Sequence, residues 1–215
     1  MTQPNYDFVT AAPIVPVLVI DQLEHAIPLA KALVAGGLPA LEITLRTPCA
    51  LDAIEAIASA VPEAIVGAGT VCNRDQLLEC HKRGAQFIVS PGSSEAIFQA
   101  AHDTKLPLLP GVATASEIIH AREAGFEILK FFPAEINGGA KALKAFSGPF
   151  YDLQFCPTGG IGVDNLAEYL ALPNVIAVGG SWITPKSAMQ AGDWAKITDL
   201  ARQAVALAHG IRNAA

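Results

Sequence analysis

Glu127-Ile128-Leu129-Lys130-Phe131 is a short apolar run with a lysine near its centre, entered after Gly125 and left through Phe132-Pro133. A brief run of this kind, bounded by glycine, proline or charge, reads as a strand buried on both faces of a parallel sheet. The pattern recurs on both sides of it. Working outward, the runs cover residues 14–20, 40–44, 64–67, 86–90, 106–109, 127–131, 153–156 and 175–178, at near-regular spacing. Helical patterns fill the intervals. Asp21 with Glu24 predicts a capping box for a helix that stops at Gly36-Gly37, with Pro28 forcing a kink or a late start. Thr47-Pro48 predicts an N-cap and first-turn proline for a helix over residues 49–60. Thr114 and Glu117 predict a second capping box, closed by Gly125, and Thr184-Pro185 opens a further helical stretch. From Trp194 to Leu207 apolar residues recur at helical spacing.

Eight strand–helix alternations with no composition break predict a compact (βα)8 barrel forming a single domain over residues 1–215. The competing doubly wound sheet, in its dinucleotide-binding form, carries a glycine-rich first turn. Here that turn is Ile20-Asp21-Gln22-Leu23, without glycine.

Composition supports a packed α/β chain. Hydrophobic residues make up 52% and charged residues 16%, too apolar and charge-poor for disorder. The net charge of -6 offers no general attraction to nucleic acid or to an anionic membrane, so neither is expected as partner. The apolar run before Asp21 is broken by Pro13 and Pro16, and the residues ahead of it carry no Lys or Arg, unlike a signal peptide. A cytoplasmic location is expected. Cys49, Cys72, Cys80 and Cys156 form no CxxC pair and read as reduced. His25, His81, His102, His120 and His209 show no metal-ligand spacing, so no metal site is expected.

In a barrel, chemistry sits where strands end at the C-terminal rim. Lys130 is anomalous inside an apolar strand, and alternation puts it on the face of Ile128 and Phe132. One reading is a packed stem whose ammonium reaches the rim. The other is an amine nucleophile, its proton loosened by desolvation among Phe131, Phe132 and Pro133, which attacks a keto carbon. Glu42, in line with Ala40 and Thr44, is either the ion-pair partner of Lys130 or Arg46 or a general acid/base. Arg46 with Thr70 has the makings of a carboxylate clamp. Thr158-Gly159-Gly160 and Gly179-Gly180-Ser181 follow the seventh and eighth runs, where barrels often bind phosphate through backbone N–H groups.

Five segments in order, Leu41-Glu42-Ile43-Thr44-Leu45-Arg46-Thr47, Gly67-Ala68-Gly69-Thr70, Lys130-Phe131-Phe132-Pro133-Ala134-Glu135, Cys156-Pro157-Thr158-Gly159-Gly160 and Gly179-Gly180-Ser181-Trp182, resemble those of the 2-keto-3-deoxy-6-phosphogluconate (KDPG) and 4-hydroxy-2-oxoglutarate (KHG) aldolases. The likeness runs from about Pro13 to the last helix. It implies a class I aldolase needing no cofactor, a homotrimer acting on a small phosphorylated keto acid. It implies Lys130 as Schiff-base former and Glu42 as acid/base, with Arg46 and Thr70 on the substrate carboxylate. Gly159, Gly160, Gly180 and Ser181 would hold the phosphate, and Phe132, Thr158 and Pro91 would contact the rest of the substrate. The implied reaction splits KDPG into pyruvate and glyceraldehyde 3-phosphate, with KHG as a second substrate. Thr158 is similar to the residue of enzymes selective for the gluconate epimer. The alternatives are a non-covalent phosphate-binding isomerase or epimerase, or an inactive sugar-phosphate-binding barrel.

Overall fold

The computed structural model describes residues 6–214. Residues 1–5 and 215, counted in the expected domain and in the reading of the leader, lie outside the described residues. The strands are β1 (Ile14–Leu18), β2 (Ala40–Thr44), β3 (Ile65–Gly69), β4 (Phe87–Val89), β5 (Leu108–Leu109), β6 (Gly111–Val112), β7 (Ile128–Phe131), β8 (Gln154–Pro157) and β9 (Val178–Gly180). The helices are α1 (Asp7–Thr10), α2 (Ala26–Ala35), α3 (Ala50–Ala60), α4 (Arg74–Lys82), α5 (Glu95–Thr104), α6 (Ala115–Glu123), α7 (Gly139–Phe146), α8 (Leu166–Leu170), α9 (Lys186–Ala191) and α10 (Trp194–Ala214). No helix among the described residues is long and apolar enough to cross a membrane.

All ladders are parallel. Six strands form one sheet in the order β5-β4-β3-β2-β1-β9, and three form another, β6-β7-β8. The expected fifth strand, over residues 106–109, is reduced to β5, and a further strand, β6, follows Pro110, which has no N–H to give to a ladder although its carbonyl accepts from Lys130. At the other seam Thr158, just past β8, bridges to Gly179 in β9. The eighth strand starts later than the pattern suggested: Val175 makes only an isolated bridge to Phe155, and ladder pairing with β1 begins at Val178.

Alternation sorts the strand residues into two cores. Leu18, Leu41, Ile43, Val66, Ile88 and Phe131 pack outward against the helices. Val15, Ala40, Phe87, Val89, Leu109 and Cys156 pack together on the opposite face. Phe131 lies on the face opposite Lys130, as alternation requires, so it does not wall the amine, and it meets Phe146 at 6.0 Å between ring centroids. The inner core is closed from below by α1, whose Phe8 stacks on Phe87 at 4.0 Å and 6°. Phe8→Ala would empty a buried aromatic site and is expected to cost about 3–5 kcal/mol. Urea unfolding monitored by fluorescence measures it.

Capping follows the sequence only in part. Thr114 and Glu117 form the capping box at α6, and Asn73 and Ser94 cap α4 and α5. The box at Asp21 does not form. Asp21 pairs instead with Lys186 at 3.2 Å, and a short 3-10 turn at Leu23–His25 delays α2 to Ala26, placing Pro28 in its first turn. The Thr47 hydroxyl donates to the Ile20 carbonyl at 2.7 Å rather than capping α3. In both places a partner distant in sequence outcompetes the local backbone.

Candidate active site

Glu42 and Lys130 come from strands in different sheets, yet their side chains meet on the inner face. The Lys130 ammonium donates to Glu42 Oε1 at 3.3 Å. The residues are 3% and 2% exposed, so both charged groups are out of water. Desolvation at this depth costs several kcal/mol per ion, which the mutual attraction offsets. Glu42 thus takes Lys130, not Arg46, as its ion partner. The Phe132 ring lies with its centroid 5.0 Å from Lys130 Nζ, a cation–π contact on the same face.

The strand register builds the surroundings. Glu42 pairs with Gly67 on β3, and Lys130 lies between Gly111 of β6 and Cys156 of β8. Gly69 is a residue the sequence reading did not single out for itself. A Cβ there would fall 2.2 Å from Glu42 Oε1, so only glycine leaves the carboxylate its space. Cys156, expected to be reduced, is buried beside Lys130 on the neighbouring strand. Burial first, then the Glu42 charge, push its thiol up to about 12, while Lys130 opposes them. A thiol held protonated is unreactive. Iodoacetamide at about pH 8, near the ordinary thiol range, is expected to label exposed Cys72 and to spare Cys80 and Cys156 until the protein unfolds. Peptide mass mapping reads the outcome.

At the ends of β2 and β3, Arg46 Nε donates to Thr70 Oγ1 at 3.2 Å. Thr70 has φ 60, a left-handed backbone that costs a non-glycine residue of order 1 kcal/mol. That conformation turns its hydroxyl toward the guanidinium, leaving both side chains accessible at the rim. Pro91 follows β4, in a loop tied down by Ser93 Oγ donating to the Gly111 carbonyl at 2.7 Å.

Beyond β8, the Thr158 N–H donates to the Phe131 carbonyl at 2.9 Å, which seats the residue, 7% exposed, beside the Lys130 strand. Gly159 and Gly160 have φ +103 and +78, so the turn depends on glycine. Gly180 is held differently. Its φ is not in the left-handed region, and the position is small because the Trp182 ring lies over it. Ser181 is exposed and borders a cavity of about 400 Å³, shared with Val17, Val19, His25, Thr184 and Lys186. That cavity opens on the β1–β9 side rather than over Lys130 and Glu42.

The structure thus unites Lys130, Glu42 and Phe132, and separately Arg46 with Thr70. Thr158 is joined to the second glycine pair, in β9, through its bridge to Gly179. Among the described residues, no three His, Cys, Asp or Glu side chains are arranged to hold a metal ion.

The family model for KDPG and KHG aldolase matches residues 6–200. The KHG/KDPG aldolase of Escherichia coli (strain K12) is 57% identical over 196 residues, 91% of this chain and 92% of that protein. The 2-dehydro-3-deoxy-phosphogluconate aldolase of Dickeya dadantii (strain 3937) is 56% identical over 197 residues, 92% of each. A structure of KDPG aldolase from Legionella pneumophila, with pyruvate captured at low pH as a covalent carbinolamine intermediate, superposes with TM-score 0.91 at 46% identity, over 95% of this chain and 98% of that one. The chain, with its buried lysine–carboxylate pair and its Gly159-Gly160 turn, belongs to the KDPG and KHG aldolase family.

Proposed function

We propose that this protein is a class I aldolase that cleaves KDPG to pyruvate and glyceraldehyde 3-phosphate, and KHG to pyruvate and glyoxylate. The observation that carries the reading is the buried Lys130 amine 3.3 Å from Glu42. The substrate carboxylate replaces water at Arg46 and Thr70, and the phosphate is held at Gly159, Gly160, Gly180 and Ser181. This places carbon 2 at Lys130 Nζ. Glu42 takes a proton from the ammonium, and the neutral amine adds to the carbonyl to give a carbinolamine. Glu42 returns that proton to the carbinolamine hydroxyl, which leaves as water and gives the iminium. Glu42, once more unprotonated, accepts the carbon 4 hydroxyl proton through a water. The bond between carbons 3 and 4 breaks, its electrons pass to the iminium as an enamine, and glyceraldehyde 3-phosphate departs. Protonation at carbon 3 and hydrolysis return pyruvate and free Lys130. Thr158, Phe132 and Pro91 line the chain of the substrate, with Thr158 favouring the gluconate epimer over the galactonate one.

The architecture we infer for it is a single closed barrel of eight strands, with β5 and β6 counting as one strand interrupted at Pro110. The Pro110 break and the Thr158–Gly179 bridge are its two seams. The enzyme acts in the cytoplasm as a homotrimer, and association would cover exposed apolar side chains such as Ile136, Tyr151 and Val163.

Incubation with pyruvate and borohydride followed by mass spectrometry tests the chemistry. One reduced pyruvate on the Lys130 peptide is the expected result. No adduct, with sugar-phosphate isomerisation present, would leave the non-covalent alternative standing. Kinetics on both epimers tests the role given to Thr158.

A further inference from the structure

Glu135 presents a puzzle. It puts a carboxylate directly beside the turn that the proposed function assigns to a phosphate, where repulsion should weaken binding. Its contacts supply a reason. The Glu135 N–H donates to the Gly159 carbonyl at 3.1 Å, and the preceding Ala134 N–H donates to the Thr158 carbonyl at 2.8 Å. The side chain then passes under Gly160 so closely that a Cβ there would lie 2.5 Å from Glu135 Cγ. Its far end accepts a hydrogen bond from the hydroxyl of Tyr169, a fully buried residue of α8. Both groups also press on the start of α7, where a Cβ on Gly139 would stand 3.3 Å from each. The carboxylate is thereby pinned between two helices and the turn.

We propose that Glu135, held by Tyr169, is a positioning residue that sets the Thr158-Gly159-Gly160 turn for the substrate's phosphate and so favours phosphorylated over unphosphorylated keto acids. This rests on the phosphate role given to that turn. The pinned side chain acts as a spacer. It holds Gly159 and Gly160 in their left-handed conformations, with their N–H groups set before the ligand arrives.

The test compares Glu135→Ala, Glu135→Gln and Tyr169→Phe, the last keeping the buried ring. For KDPG, Glu135→Ala and Tyr169→Phe are expected to raise KM about 10- to 150-fold, the range for losing a hydrogen bond to a charged group, with kcat little changed. KM for KHG, which has no phosphate, stays at the wild-type value. Glu135→Gln retains an oxygen that accepts from Tyr169 and stays close to wild type. Equal rises for both substrates, an unchanged KM in Glu135→Ala, or a Glu135→Gln variant as impaired as Glu135→Ala would overturn the proposal. Calorimetric binding of inorganic phosphate to the same proteins separates the two failures. Absent turnover and absent pyruvate adduct refute the aldolase reading. Phosphate affinity equal in wild type and Glu135→Ala refutes the spacer whether or not turnover is seen.

Discussion

Lys130→Met is expected to abolish cleavage of KDPG, by at least about 10⁴-fold, because no other amine can supply the iminium. The pyruvate adduct should vanish with it. The substitution also acts on stability. Methionine fills the same space, but Glu42 at 2% exposure is left without its cation. An uncompensated buried charge of this kind costs about 3–5 kcal/mol. The double variant Lys130→Met/Glu42→Gln should recover much of that loss while remaining inactive, since a neutral amide needs no counter-charge. Urea midpoints and borohydride trapping on the three proteins separate the effects. Retained turnover in Lys130→Met would dismiss the covalent mechanism outright. A single variant as stable as wild type would show that Glu42 finds another partner.

Glu42→Gln is expected to reduce kcat about 10²- to 10⁴-fold, the range for loss of a general acid/base. The amide oxygen still accepts from Lys130 in nearly the same shape, so the site should remain assembled. The pyruvate adduct should therefore still be trapped after long incubation, more slowly than in wild type. That separation, slow adduct but almost no cleavage, is what a proton carrier predicts and what a purely structural partner of Lys130 does not. Turnover within a few fold of wild type would remove Glu42 from the chemistry. Gly69 bears on the same point, because the carboxylate lies where a Cβ would be.

Much of this was readable one residue at a time. Lys130 and Glu42 stood out because a charge in an apolar strand needs a reason. The Gly159-Gly160 turn stood out because glycine pairs mark backbone that other residues avoid. The capping box at Thr114 was legible because all its partners lie within four residues. Asp21, Thr47 and Val175 were misread for the opposite reason: their deciding partners are Lys186, Ile20 and Phe155.

The sequence by itself determined the alternation of strand and helix, the inward phase of Lys130 and Glu42, and the residue types available at the strand ends. Those properties are local, set by periodicity and side-chain chemistry. Only the tertiary structure decided that Lys130 takes a carboxylate 88 positions away, that Arg46 leans on Thr70, and that Gly180 serves Trp182. Such pairings depend on which strands lie side by side and in what register. Register comes from the packing of the sheets against each other and against the whole core, so no single segment carries it.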